Sequence, residues 1–142
     1  MGTTMARRTK TPVFISFDYD HDARLKDLLV GQARNGDSPF FIEDWSIKKE
    51  TKNWKADAKR RIGRSQLVLV LCGRHTKSAV GVAAEIGMAR QLGVPFVLLR
   101  GYQGGTVQRP AGTSWLFDTV HDWTWENLRR LTDMRPWWQK IW

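Results

Sequence analysis

Disulfide chemistry is the first thing this chain lacks. One of its 142 residues is cysteine, Cys72, so no internal disulfide can form, and the composition fits a reducing cytoplasm. Long apolar runs are missing too. The longest, Leu67 to Cys72, is far too short to span a bilayer. The opening MGTTMARRTK is basic but no apolar core follows it, so neither a signal peptide nor a membrane partner is expected. Histidine is scarce: His21, His75 and His121 are scattered, and one cysteine adds no ligand cluster, so no metal is expected. Acidic residues are in deficit. Asp and Glu number 14 against 23 Lys and Arg, a net charge of +9 that points to anionic partners. Much of the excess lies in one segment, Lys48, Lys49, Lys52, Lys55, Lys59, Arg60, Arg61 and Arg64, opposed only by Glu50 and Asp57. No aromatic residues alternate with these cations and no nucleic-acid motif is present. The segment reads as the solvated face of a helix, and nucleic acid is not expected as a partner.

What is present is an ordinary globular composition, 42% hydrophobic and 26% charged. No repeat or linker divides the chain, so one domain over 1–142 is expected, with a core of about 12–134 and a Trp-rich tail at 135–142. Strands and helices alternate. PVFISF, ending at Asp18, is a buried strand, and Asp20 or Asp22 can cap a helix whose Leu25, Leu28, Leu29 and Gln32 share a face. FFI at Phe40 to Ile42 is a second strand, followed by the polar loop EDWSIKKETKN and a helix with Trp54, Ala58, Arg61 and Ile62 at helical spacing. LVLVLC is the clearest strand, and GRHTKS leads from it into another helix. GVP ends that helix, FVLL is the fourth strand, GYQGGTVQRPAG is a Gly-rich loop, and FDTVHDW holds a short fifth strand. Thr124 can cap a last helix reaching about Met134. Near-continuous apolar strands separated by helices predict a parallel sheet covered on both faces: an α/β, flavodoxin-like, doubly wound fold of order 2-1-3-4-5. Ligands of such folds bind at the carboxyl ends of strands 1 and 3, where the winding reverses.

One residue breaks the helical pattern of the stretch Ser78 to Pro95. Val82, Ile86, Ala89 and Leu92 mark its inward face, and Glu85 falls among them, roughly 20° from Leu92 and roughly 40° from Ala89 on the wheel. A carboxylate seldom sits in an apolar arc without a purpose. It either pairs with a cation such as Lys77 or Arg90, or faces a ligand in the crevice that the fold places about two turns away.

Three stretches together resemble a Toll/interleukin receptor (TIR) domain, in particular the compact TIR-like proteins of bacterial Thoeris antiphage systems. VFISFDYDHD is similar to the family's opening motif, RSQLVLVLCGRHTKS to its third strand and following loop, and VAAEIGMARQLGVPFVLL to the helix that carries the catalytic Glu. The similarity spans roughly Pro12 to Leu99. It departs in SAVGVAAE, where many TIR domains have a Trp shortly before the Glu.

The resemblance implies cleavage of the nicotinamide–ribose bond of NAD, as substrate and without a cofactor, yielding an ADP-ribose-derived signal sensed by a downstream effector, and it implies self-association of the domain. It makes Glu85 the catalytic carboxylate, with Asp18 next in line. Phe17, Asp18 and Trp45 become candidates for the nicotinamide and ribose walls, and Arg74, Lys77 and Ser78 for the pyrophosphate, with help from the helix N-terminus. Two alternatives stay open. Nucleoside 2-deoxyribosyltransferases carry a similar Glu-Ile-Gly helix and act on an N-glycosidic bond, and a TIR scaffold would only recruit partners or self-associate. A receiver domain is set aside because Cys72 and Gly73 stand where it needs an Asp. The tail RPWWQKIW either folds back over the domain or makes an intermolecular contact.

Overall fold

The structure, a computed structural model, describes residues 10–42 and 52–140. Trp45, Lys48, Lys49 and Trp142 lie outside the described residues. Six consecutive buried residues form the centre of the sheet, β3 (Leu67–Cys72), because only a strand covered on both faces can bury such a run. Around it stand β1 (Thr11–Ser16), β2 (Phe40–Ile42), β4 (Phe96–Arg100) and β5 (Val120–Asp122). All pairings are parallel and the order is β2-β1-β3-β4-β5. The α/β, flavodoxin-like architecture read from the sequence is therefore the observed one.

Four α-helices cover the sheet among the described residues. α1 (Ala23–Ala33) and α4 (Trp125–Leu131) lie on one face, where Leu25, Leu29 and Leu128 meet Val13, Leu69 and Leu99. α2 (Trp54–Arg64) and α3 (Val80–Leu92) lie on the other, where Ala58, Ile62, Val82 and Ile86 meet Phe14, Val68 and Val70. This division follows from right-handed crossovers, which send α2 and α3 to the same side. Residues alternate along β1, so Val13 and Ile15 serve the first core while Phe14 and Ser16 face the second. α3 stops at Gly93, whose φ of +71° suits glycine, and the Val94 N–H donates back to the Ala89 carbonyl at 2.9 Å.

Three expectations need correction. Leu28 and Leu92 are 57% and 41% exposed, not inward. Each helix is covered over a narrower arc than its apolar stripe, and Leu92 sits in the last turn, where the chain leaves for β4. α4 ends at Leu131, not near Met134; the Thr132 hydroxyl donates to the Leu128 carbonyl at 2.6 Å and occupies an acceptor of the last turn. The crossover from β4 to β5 carries no helix, and Phe117 belongs to a turn of that crossover, with only Val120–Asp122 in the strand. Of the two readings of the tail, the exposed 3-10 turn of Trp137 and Trp138 favours an outward-facing surface over a fold back across the domain.

Candidate active site

Ser16 is the last residue of β1 and is fully buried, facing the α2–α3 layer. Glu85 lies on α3 between Val82 and Ile86, both buried against that same sheet face. The two meet. Ser16 Oγ donates to Glu85 Oε1 at 2.7 Å across 69 residues of sequence. The apolar spacing of α3 turns Glu85 toward the sheet, and the parallel β1–β3 pairing brings the end of β1 beneath it.

Glu85 is partly buried and, among the described residues, has no ion-pair partner. The cations that could have neutralised it are engaged elsewhere or remote. Arg90 lies 3.9 Å from Asp118 and over the Phe96 ring, and Lys77 is exposed in the loop ahead of α3. Burial therefore dominates and pushes the Glu85 carboxyl from its ordinary 4.5 up to about 7, while the Ser16 hydrogen bond favours the charged form and pulls the other way. Near neutrality the group is divided between acid and carboxylate. A nearby positive charge would shift it to carboxylate.

The loop after β3 borders the same edge. Gly73 N–H donates to Thr76 Oγ1 at 2.6 Å, and the Ser78 hydroxyl donates to the His75 carbonyl at 3.1 Å. Arg74 is exposed, with its guanidinium 5.0 Å from the Tyr102 ring centre. Arg74, Lys77 and Ser78 thus sit together just ahead of α3. No side chain caps α3, so its first N–H groups are not taken by one. Asp18 is buried in the turn from β1 to α1, where its carboxylate accepts from the Asp20 N–H at 3.1 Å and meets His21 Nδ1 at 2.7 Å. Phe17 packs with the α1–α4 core and stacks on Tyr19, on the opposite face from Glu85, as strand alternation requires. Trp45 lies outside the described residues.

Two residues of this edge escaped the sequence reading. Ser16 was visible as the end of the opening motif, and period-2 alternation puts it on the face of Phe14; nothing local says that it reaches α3. Trp54 was read as a core residue of α2. Its ring lies beside Gly81, 4.0 Å from where a Cβ on that residue would stand, so an aromatic surface adjoins α3 one turn before Glu85. A cavity of about 690 Å³ opens elsewhere, between α1 and the carboxyl ends of β4 and β5, lined by Gln32, Arg100, Asp122 and Trp123. It does not contain Glu85. Its Arg100 already pairs with Asp122 at 3.3 Å and its Trp123 donates to Gln32 at 2.7 Å, so the unpaired carboxylate at the β1–β3 edge is the better candidate for chemistry.

Fold and site together define a class: a doubly wound TIR-like domain with an unpaired glutamate on the helix after the third strand. The chain belongs to the TIR-like domain family of the Thoeris protein ThsB, whose family model matches residues 14–102, and it is a TIR-type antiphage-defence protein. The matched stretch contains both Ser16 and Glu85 and ends before the β4–β5 crossover is complete. No curated protein matches the chain.

Proposed function

We propose that this domain cleaves the nicotinamide–ribose bond of NAD, with Glu85 as the catalytic carboxylate. The observation that carries the reading is the unpaired, partly buried Glu85 bonded by Ser16 at the carboxyl edge of the sheet. As the bond breaks, its electron pair leaves with nicotinamide. The pyridinium becomes neutral and positive charge develops on the ribose. A carboxylate beside the ribose stabilises that oxocarbenium-like state, more strongly where water is excluded. Ser16 Oγ holds one carboxylate oxygen, leaving the other to meet the ribose. Trp54 offers a ring face for the nicotinamide side. Arg74, Lys77, Ser78 and the uncapped start of α3 offer charge and donors for the pyrophosphate. Water, a hydroxyl of the same nucleotide or another acceptor then takes the ribosyl cation, which yields ADP-ribose, a cyclic isomer or an adduct. A cytoplasmic location and an effector that senses the product belong to the same reading.

The test is incubation of the purified protein with NAD and mass spectrometry of the products. Loss of NAD with release of nicotinamide supports the reading. Intact NAD with base exchange on a deoxynucleoside would replace it with the transferase alternative, and inertness toward both would leave a recruiting scaffold.

A further inference from the structure

Among the described residues, three consecutive large apolar side chains, Trp115, Leu116 and Phe117, are exposed together. All five strands run the same way, so the sheet has a carboxyl edge, where Ser16 and Glu85 meet, and an amino edge opposite. Trp115, Leu116 and Phe117 precede β5 at the amino edge and are 77%, 64% and 82% exposed. Leu92 ends α3 at the same edge. Trp137 and Trp138, both exposed, follow α4, whose end is tied to the first residue of β1 by the Thr11 hydroxyl donating to the Thr132 carbonyl at 2.6 Å. The Trp-Leu-Phe turn is braced from behind. Asp118 N–H donates to the Ser114 carbonyl at 2.7 Å, Ser114 N–H to Asp118 Oδ2 at 2.9 Å, and Leu116 N–H to Ser114 Oγ at 3.1 Å. Arg109 donates to the carbonyls of Ser114 and Asp118, and Arg90 of α3 lies against Asp118. Three large apolar side chains are thus held outward on a fixed support.

Cations lie at the same edge. Lys10 precedes β1, Arg64 ends α2, and Arg90 and Arg130 stand in the last turns of α3 and α4. Of the nearby acids, Asp118 and Asp133 are engaged by Arg90 and Arg135. We propose that the amino edge docks on the surface of an anionic lipid bilayer, with Trp115, Leu116 and Phe117 inserted at the headgroup level and the cations of that edge toward lipid phosphates. Large apolar and aromatic side chains on an edge that also carries Lys and Arg are the composition that lies in such an interface. Charge argues against a second copy as the occupant, because a two-fold contact would bring the same cations together in a chain of net +9. A bilayer needs no matching surface. No helix among the described residues is long and apolar enough to cross a membrane, so the contact is peripheral. The expectation of no membrane partner rested on the missing span, which surface docking does not require. The Glu85 edge stays open to solvent, about 20 Å away along the strands.

The experiment is co-sedimentation of the full chain with vesicles of equal parts phosphatidylcholine and phosphatidylglycerol, beside vesicles of phosphatidylcholine alone. The chain is expected to sediment with the anionic vesicles only, to come off as salt rises, and to bind on the order of tenfold less with W115S, L116S and F117S combined. All three side chains are exposed, so the variant keeps its thermal transition; W115S alone repeats the test should the triple variant unfold. Equal binding to neutral vesicles, or wild-type binding by the variant, overturns the proposal. So does absence of binding together with a dimer in solution that the triple variant abolishes, which would assign the edge to a second copy.

Discussion

The two edges of one sheet are built on opposite plans. At the carboxyl edge polar groups are gathered and enclosed: Ser16 and Asp18 are buried, and Glu85 is held by a hydroxyl with no counter-ion among the described residues. At the amino edge apolar groups are turned outward: Trp115, Leu116, Phe117, Trp137 and Trp138 stand exposed. Each arrangement goes against the usual sorting of polar outside and apolar inside. A fold tolerates such costs where a partner relieves them, which is the premise shared by the two proposals. They also differ in origin. The family match at 14–102 covers the whole Ser16–Glu85 pair, while the Trp-Leu-Phe turn and the tail lie beyond it. The first edge belongs to the family's common part, and most of the second lies in the remainder of this chain.

The strongest way to break this comparison is Glu85→Gln. It preserves shape and removes the charge, so NAD turnover is expected to fall on the order of a hundredfold or more, with vesicle binding and folding unchanged. Turnover near the wild-type rate would strip the carboxyl edge of its role and turn attention to Asp18. Ser16→Ala comes next. Its hydroxyl favours the charged form of Glu85, so its loss raises the carboxyl's pKa further above 7. A pH profile of kcat/KM should rise through about 7 in the wild type and at higher pH in the variant, with about tenfold less activity at neutrality. A profile that keeps its midpoint would mean that Ser16 only fills space.

Stability against pH sharpens the contrast at smaller scale. Glu85 is raised from 4.5 to about 7 on folding, so the folded state prefers its protonated form. The favourable contribution is fully present below about 4.5 and is lost as pH rises through about 7. Between pH 5 and 8 the wild type should therefore lose more thermal stability than Glu85→Gln, by at most a few kcal/mol given the residue's partial exposure. Parallel curves for the two proteins would contradict a buried, unpaired carboxyl. The smallest effect belongs to the tail. Deleting 136–142 should leave the cooperative transition within about 0.5 kcal/mol, because Trp137 and Trp138 are exposed. Loss of that transition would return the tail to the core and remove it from the amino edge.

Much of the fold was legible before any coordinates. LVLVLC marks a doubly covered strand because six apolar residues in a row have no polar face to offer water. Thr124 caps α4 as read, accepting from the Asn127 N–H at 3.0 Å. Helix ends and exposed apolar residues were less legible. Leu28 and Leu92 fit the inward stripe of their helices, yet what covers a stripe is another element, and no local pattern gives its width. The crossover after β4 offered turn residues and apolar ones together, and period alone could not say that Phe117 would stop short of the strand.

The sequence by itself determined the order of the elements, the two-sided sheet and the inward direction of Glu85, because each follows from periodicities of two or 3.6 residues within a short stretch. Only the tertiary structure decided what Glu85 meets there. Its partner, Ser16, is 69 residues away, and among the described residues it has no counter-ion because Arg90 is drawn to Asp118. The gathering of Leu92, the Trp-Leu-Phe turn and the tail at one edge is likewise a product of parallel strand order, which brings the ends of distant segments together. Local chemistry sets the direction of a side chain, whereas its neighbours are set by how distant elements pack, and burial and charge in turn depend on those neighbours.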